Sequence, residues 1–165
     1  MQTQKVVLFL QNAWSYAYAG GTWPRPSWLN ALWACPTGRR LKILEEASPA
    51  IYLWVDNTTP IVGEGPNSVV PPDPDHIRGV IDRQSPDVVV MCGKQARKAV
   101  FPLWSGPALI LPHPTHRVVT DKLYREAGTL LGAGIESVVE LVQERGRFVK
   151  HVSPIMKKTG KPTLF

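Results

Sequence analysis

Ala108-Leu109-Ile110-Leu111-Pro112-His113-Pro114-Thr115-His116-Arg117 is the stretch on which the fold turns. Four consecutive apolar residues are too few for a helix and do not alternate, so they read as a strand buried on both faces. Pro112 ends the strand, because a proline cannot donate to a central ladder, and Pro114 restricts the backbone after His113. An imidazole held this way stands at the carboxyl edge of a sheet, where open α/β folds carry their chemistry.

Working outward, three more runs have the same continuous apolar character: Lys5–Leu10, Ala50–Val55 and Val88–Cys92. Helical stretches fall between them. Ser27 is placed to cap Trp28–Ala34, and Thr37 to cap Gly38–Ala47 ahead of Pro49. Asp73 followed by Pro74 opens a helix to Gln84 that Pro86 stops, and Lys94–Val100 is a shorter turn after Gly93. Asp121–Arg145 puts Leu123, Ala127, Leu130, Leu131, Val138 and Val142 on one side, with a break near Gly132 and Gly134 left open. Strands alternating with helices predict a three-layer α/β/α domain over residues 1–145 with a four-stranded parallel sheet. The remainder, 146–165, carries Arg147, Lys150, His151, Lys157, Lys158 and Lys161 and reads as a basic, weakly structured arm.

Length and composition fit one domain with a real core: 165 residues, 44% hydrophobic, mean hydropathy -0.10. Nineteen basic against thirteen acidic side chains give a net charge of +6 and a pI near 9.6, a balance suited to a polyanion but not specific to one. The only cysteines are Cys35 and Cys92, which excludes a disulfide framework and a CxxC metal site. No stretch approaches the roughly 20 apolar residues needed to cross a bilayer, and the first apolar run is too short for a signal peptide. The expectation is a cytoplasmic protein with no membrane and no obligate protein partner.

Three segments should meet at one sheet edge: Gln11-Asn12-Ala13-Trp14, Asp56-Asn57-Thr58-Thr59 and His113-Pro114-Thr115-His116-Arg117, with Lys94 beside them. Amides, a carboxylate, imidazoles and cations suit a polar heterocycle next to a phosphate better than acyl transfer. No Gly-x-Ser-x-Gly elbow, Walker sequence or Gly-x-Gly-x-x-Gly is present. His113 and His116 have no third ligand near them, so neither a metal nor another cofactor is expected. Plainer roles stay open: His113 as a structural strand-end histidine, Asn12 and Asn57 as turn formers, the tryptophans at 23, 28 and 33 as core.

Val7-Leu8-Phe9-Leu10-Gln11-Asn12, Met91-Cys92-Gly93-Lys94-Gln95-Ala96 and Leu111-Pro112-His113-Pro114-Thr115 together resemble the uracil-DNA glycosylase superfamily, in order and spacing over about residues 5 to 142. The likeness is nearest to the mismatch-specific uracil/thymine branch, whose first motif carries Asn where Asn12 stands. It implies a DNA partner, an extruded pyrimidine and hydrolysis of its N-glycosidic bond. On that reading His113 stabilises charge on the base and Asn12 holds the water. Gln11, Trp14, Tyr16, Asp56 and Asn57 bind the base, with Tyr18 and Trp23 as further stacking candidates. Lys94, Thr115, His116 and Arg117 contact DNA. The first motif departs from the family in having Leu10 or Gln11 for its glycine and Ala13 for its proline. That departure keeps two alternatives alive, a transferase acting on the base's 5-substituent and an inactive DNA-binding module. A nucleoside or nucleotide enzyme is a third.

Overall fold

The computed structural model describes residues 3–12, 35–65 and 68–155. Along the chain it runs β1 (Gln4–Leu10), α1 (Pro36–Glu46), β2 (Ile51–Asn57), α2 (Pro74–Gln84), β3 (Val88–Cys92), α3 (Lys94–Val100), β4 (Ala108–Leu111), α4 (Asp121–Ala133), β5 (Val138–Glu144) and β6 (Arg147–Ser153). The helix expected over Trp28–Ala34 lies outside the described residues.

Two of the helices begin where a side chain satisfies their first amides. Asp73 caps α2, its Oδ1 accepting from Asp75 N at 3.0 Å and His76 N at 3.2 Å, with Pro74 in the first turn. Helix α1 starts at Pro36, ahead of the expected Thr37 cap. The proline takes a position that needs no donor, and Cys35 Sγ accepts from Gly38 N at 3.3 Å.

The strands form one mixed sheet in the order β2-β1-β3-β4-β5-β6. Strands β1 to β5 pair in parallel and β6 closes the edge antiparallel to β5, so the expected four-stranded parallel sheet is a six-stranded mixed one. The two extra strands come from segments read otherwise. The long helix expected over Asp121–Arg145 stops at Ala133, and Val138–Glu144 pairs as a strand. The supposed weakly structured arm opens with strand β6. Arg145 and Gly146, at φ 48° and 75°, make the two-residue turn joining the pair. The last part of that arm, 156–165, lies outside the described residues.

Two cores sandwich the sheet. Leu41 and Leu44 of α1 and Leu123, Tyr124, Ala127 and Leu131 of α4 pack on Val6, Leu8, Val90 and Leu109. On the other face Ile77 and Val80 of α2 and Ala96 and Val100 of α3 pack on Val7, Phe9, Val89 and Met91. Side chains alternate between these cores along every inner strand, as the period of two demands. Helix α4 shares the face of α1, although its connection runs in the same direction as those of α2 and α3. The β4–α4–β5 crossover therefore has the hand opposite to the other three, against the strong rule for parallel crossovers.

Strand order reverses at β1, with β2 on one side and β3 on the other. The crevice this opens at the carboxyl ends is where such sheets bind ligands.

Candidate functional site

At that edge β1, β3 and β4 are adjacent, so the segments beginning at Gln11, Gly93 and Pro112 are neighbours. Gly93 adopts φ +91° and ψ 163°, a conformation essentially reserved for glycine, and a Cβ placed there would stand 3.3 Å from His113 Cβ. The bare backbone lets the histidine lie against the end of β3. Gly93→Ala is expected to cost about 1–3 kcal/mol in urea unfolding, the usual range for a strained backbone. It should also displace His113.

The strap around His113 is tied on both sides. The buried Tyr124 hydroxyl donates to Pro112 O at 2.7 Å, and Arg40 Nη1 donates to Pro114 O at 3.2 Å and Val119 O at 2.9 Å. Arg40 Nε also pairs with Asp121 Oδ1 at 2.7 Å, joining α1 to the start of α4. Burial pushes the Cys92 thiol, close to the Tyr124 hydroxyl, up to about 12, so it is an inert core group.

Thr115 fixes the tautomer of His113. Its backbone N–H, which can only donate, lies 3.2 Å from Nδ1, and its Oγ1 lies 2.8 Å from the same atom. Nδ1 is therefore an acceptor, and the neutral ring carries its proton on Nε2. Burial, with the His116 imidazole as a smaller cause, lowers the His113 pKa. The residue is a neutral hydrogen-bond donor at neutral pH.

Strand β2 supplies two side chains on opposite faces. Asp56, 2% exposed, accepts from Trp54 Nε1 at 3.1 Å and from Asn57 N at 2.8 Å, and its Oδ1 lies 3.1 Å from His76 Nε2. The carboxylate expected to bind substrate is thus engaged by three internal groups. His76 was not singled out in the sequence; no pattern marks it, because its partner is twenty residues away.

His76 occupies the first turn of α2, where a helix disfavours positive charge. The hydrogen bond to Asp56 outweighs burial and raises its pKa, helped by the charges of Asp56 and Asp73 and a bond to the Asn57 backbone. Its stabilising contribution is complete below the ordinary histidine value of about 6.5 and fades as pH rises through the higher value in the fold. Urea unfolding at a series of pH values should show wild type ahead of His76→Phe at mildly acidic pH, with the gap closing as pH rises. A gap independent of pH would mean that the pair is not ionic.

Asn57 is 4% exposed and shares the face of Leu53 and Val55, on the side of α1 and α4. Its side-chain amide makes no hydrogen bond among the described residues, although most buried polar groups in folded proteins are satisfied.

Asn12 is committed differently. Its Nδ2 donates to Ser68 O at 3.3 Å and its Oδ1 accepts from Val70 N at 3.2 Å, fastening the loop after β2 to the end of β1. Gln11 contributes its backbone carbonyl, which accepts from Thr58 N at 3.1 Å and Oγ1 at 2.6 Å. Lys94, Thr115, His116 and Arg117 are all exposed near the His113 edge. Trp14, Tyr16, Tyr18 and Trp23 lie outside the described residues. No group of three or more metal-binding side chains occurs among the described residues, and no helix there is long and apolar enough to cross a membrane.

No protein-family model matches the chain, and neither a curated protein nor a solved structure matches it.

Proposed function

We propose that the chain binds an extruded pyrimidine of DNA at the carboxyl edge of its sheet and cleaves the base from its sugar. The observation that carries this reading is Asn57: an amide that is almost wholly buried yet has no hydrogen bond among the described residues. A side-chain amide offers one acceptor and a pair of donors in one plane, which complements the donor and acceptor edge of a pyrimidine. A buried polar group left unpaired costs free energy, and a ligand that pairs it recovers that cost on binding.

His113 supports the same reading from the other side of the crevice. Departure of the base leaves negative charge on it, and a neutral Nε2–H held by Thr115 is a preorganised donor to that charge. Extruding the base costs a few kcal/mol, least at a mismatch, so weakly paired bases are the natural targets.

A second reading keeps the pocket and drops the water. Both ends of the Asn12 amide already bind the 68–70 backbone, which favours binding alone, or transfer from an activated donor co-substrate to the base's 5-substituent, over hydrolysis. Mass spectrometry of bases and nucleosides after incubation with DNA containing uracil, mismatched thymine or 5-modified pyrimidines separates the readings. Free base and an alkali-labile abasic site support hydrolysis; a base of altered mass supports transfer. DNA left unchanged and bound without preference for any of these pyrimidines would sink both.

A further inference from the structure

On the α1 and α4 side of the sheet, a cleft of about 510 Å³ separates the first turns of α1 from the loop between β4 and α4. Arg39 and Arg40 line one wall; Thr115, His116 and Arg117 line the other, with Asp121 at the start of α4. Three guanidinium groups therefore face one carboxylate. Arg40 is consumed by the fold, bonded to Asp121, Pro114 O and Val119 O. That pairing also offsets the charge of Asp121, the one acidic residue among the described residues of the lining. Arg39 and Arg117 are exposed and have no hydrogen bond or ion pair among the described residues.

We propose that this cleft is a phosphate-binding site in which Arg39 and Arg117 close on one phosphoryl group from opposite walls. Two unpaired guanidinium groups on one concavity concentrate positive potential there, and their planar forks match phosphate oxygens better than an ammonium does. The Arg40 network makes the walls stiff, because it ties α1 directly to the loop that carries Arg117. The site needs no pyrimidine recognition. It rests on the reading above only for the source of its phosphate, which is either the DNA backbone or a free nucleotide.

The test uses the full chain with Arg39→Gln and Arg117→Gln combined, both exposed positions that leave Arg40 in place. A second double variant, Arg83→Gln with Lys98→Gln, removes the same charge from α2 and α3 on the other face. Binding of a labelled mismatched duplex is followed by anisotropy across a salt series, with ATP and inorganic pyrophosphate as competitors at constant ionic strength.

If the DNA backbone is the source, the slope of log affinity against log salt should flatten by roughly one, for the single phosphate the two arginines share, in the cleft variant and stay unchanged in the control. If a free nucleotide is the source, ATP or pyrophosphate should bind the wild type and not the cleft variant, with the duplex slope unchanged. Equal binding of every probe by wild type and cleft variant overturns the cleft while leaving pyrimidine recognition standing. Equal losses in the cleft and control variants overturn it too, since net charge alone would then explain them. A flattened slope without preference for the mismatch would keep the cleft and count against the pyrimidine pocket.

Discussion

Replacing His113 with alanine should lower turnover by roughly two to three orders of magnitude, the effect of removing one preorganised donor from a developing anion. DNA affinity should change little, because the Nε2–H bond strengthens only as charge builds on the base. The geometry suits this proposed role and not that of a general base. With Nδ1 accepting from Thr115 and burial holding the ring neutral, His113 is placed to donate rather than to accept a proton as a general base. Activity should therefore not fall on acidification through the range where an ordinary histidine gains its proton, about pH 6.5. Turnover unchanged in the alanine variant would remove His113 from the chemistry. Equal losses in turnover and binding would make it a ground-state contact.

How much of this was legible in the sequence depends on the range of the interaction. Strands β1, β3 and β4 were readable because they are buried on both faces, β3 and β4 being also punctuated by proline and glycine, and α2 because Asp73-Pro74 is a local start signal. Strand β5 was not. Val138 and Val142 are four apart, which suits a helix face as well as a strand, and a crossover of the opposite hand is what topology rules discourage. The Arg145-Gly146 turn lacks the Asn-Gly or Asp-Gly signature of its class, so the hairpin to β6 stayed hidden.

The same division runs through the site. His113 and Asn57 were found because each stands at the end of an apolar run. The partners that decide their chemistry sit elsewhere: Tyr124 and Arg40 clamp the strap, and His76 takes up Asp56. No spacing rule links Arg40 to Pro114 or His76 to Asp56, because those contacts exist only once the crossovers are packed. Asp56 and Asn57 show the limit most sharply. They are adjacent in sequence and equally suitable as ligands, yet alternate faces give one three internal partners and leave the other with no side-chain bond among the described residues.

Asn57→Leu separates function from folding because the two effects should have opposite signs. Leucine keeps the same branched skeleton of side-chain heavy atoms, so the substitution leaves no cavity, and it replaces an amide that has no side-chain hydrogen bond among the described residues, a burial that costs about 1–3 kcal/mol. The free variant should unfold at the same urea concentration as wild type or at a higher one. Pyrimidine recognition should meanwhile lose about 1–3 kcal/mol, roughly five- to a hundred-and-fiftyfold, the worth of a paired donor and acceptor on a base edge. A residue that serves the fold cannot behave this way, since losing a satisfied buried amide would lower stability. A destabilised variant that still selects its base would show that the Asn57 amide belongs to the core, and the proposed pocket would lose its recognition element. A variant as stable as wild type that no longer selects its base would locate the cost of the site in the free protein, where an amide with no side-chain bond among the described residues stands at the sheet edge until a pyrimidine pairs with it.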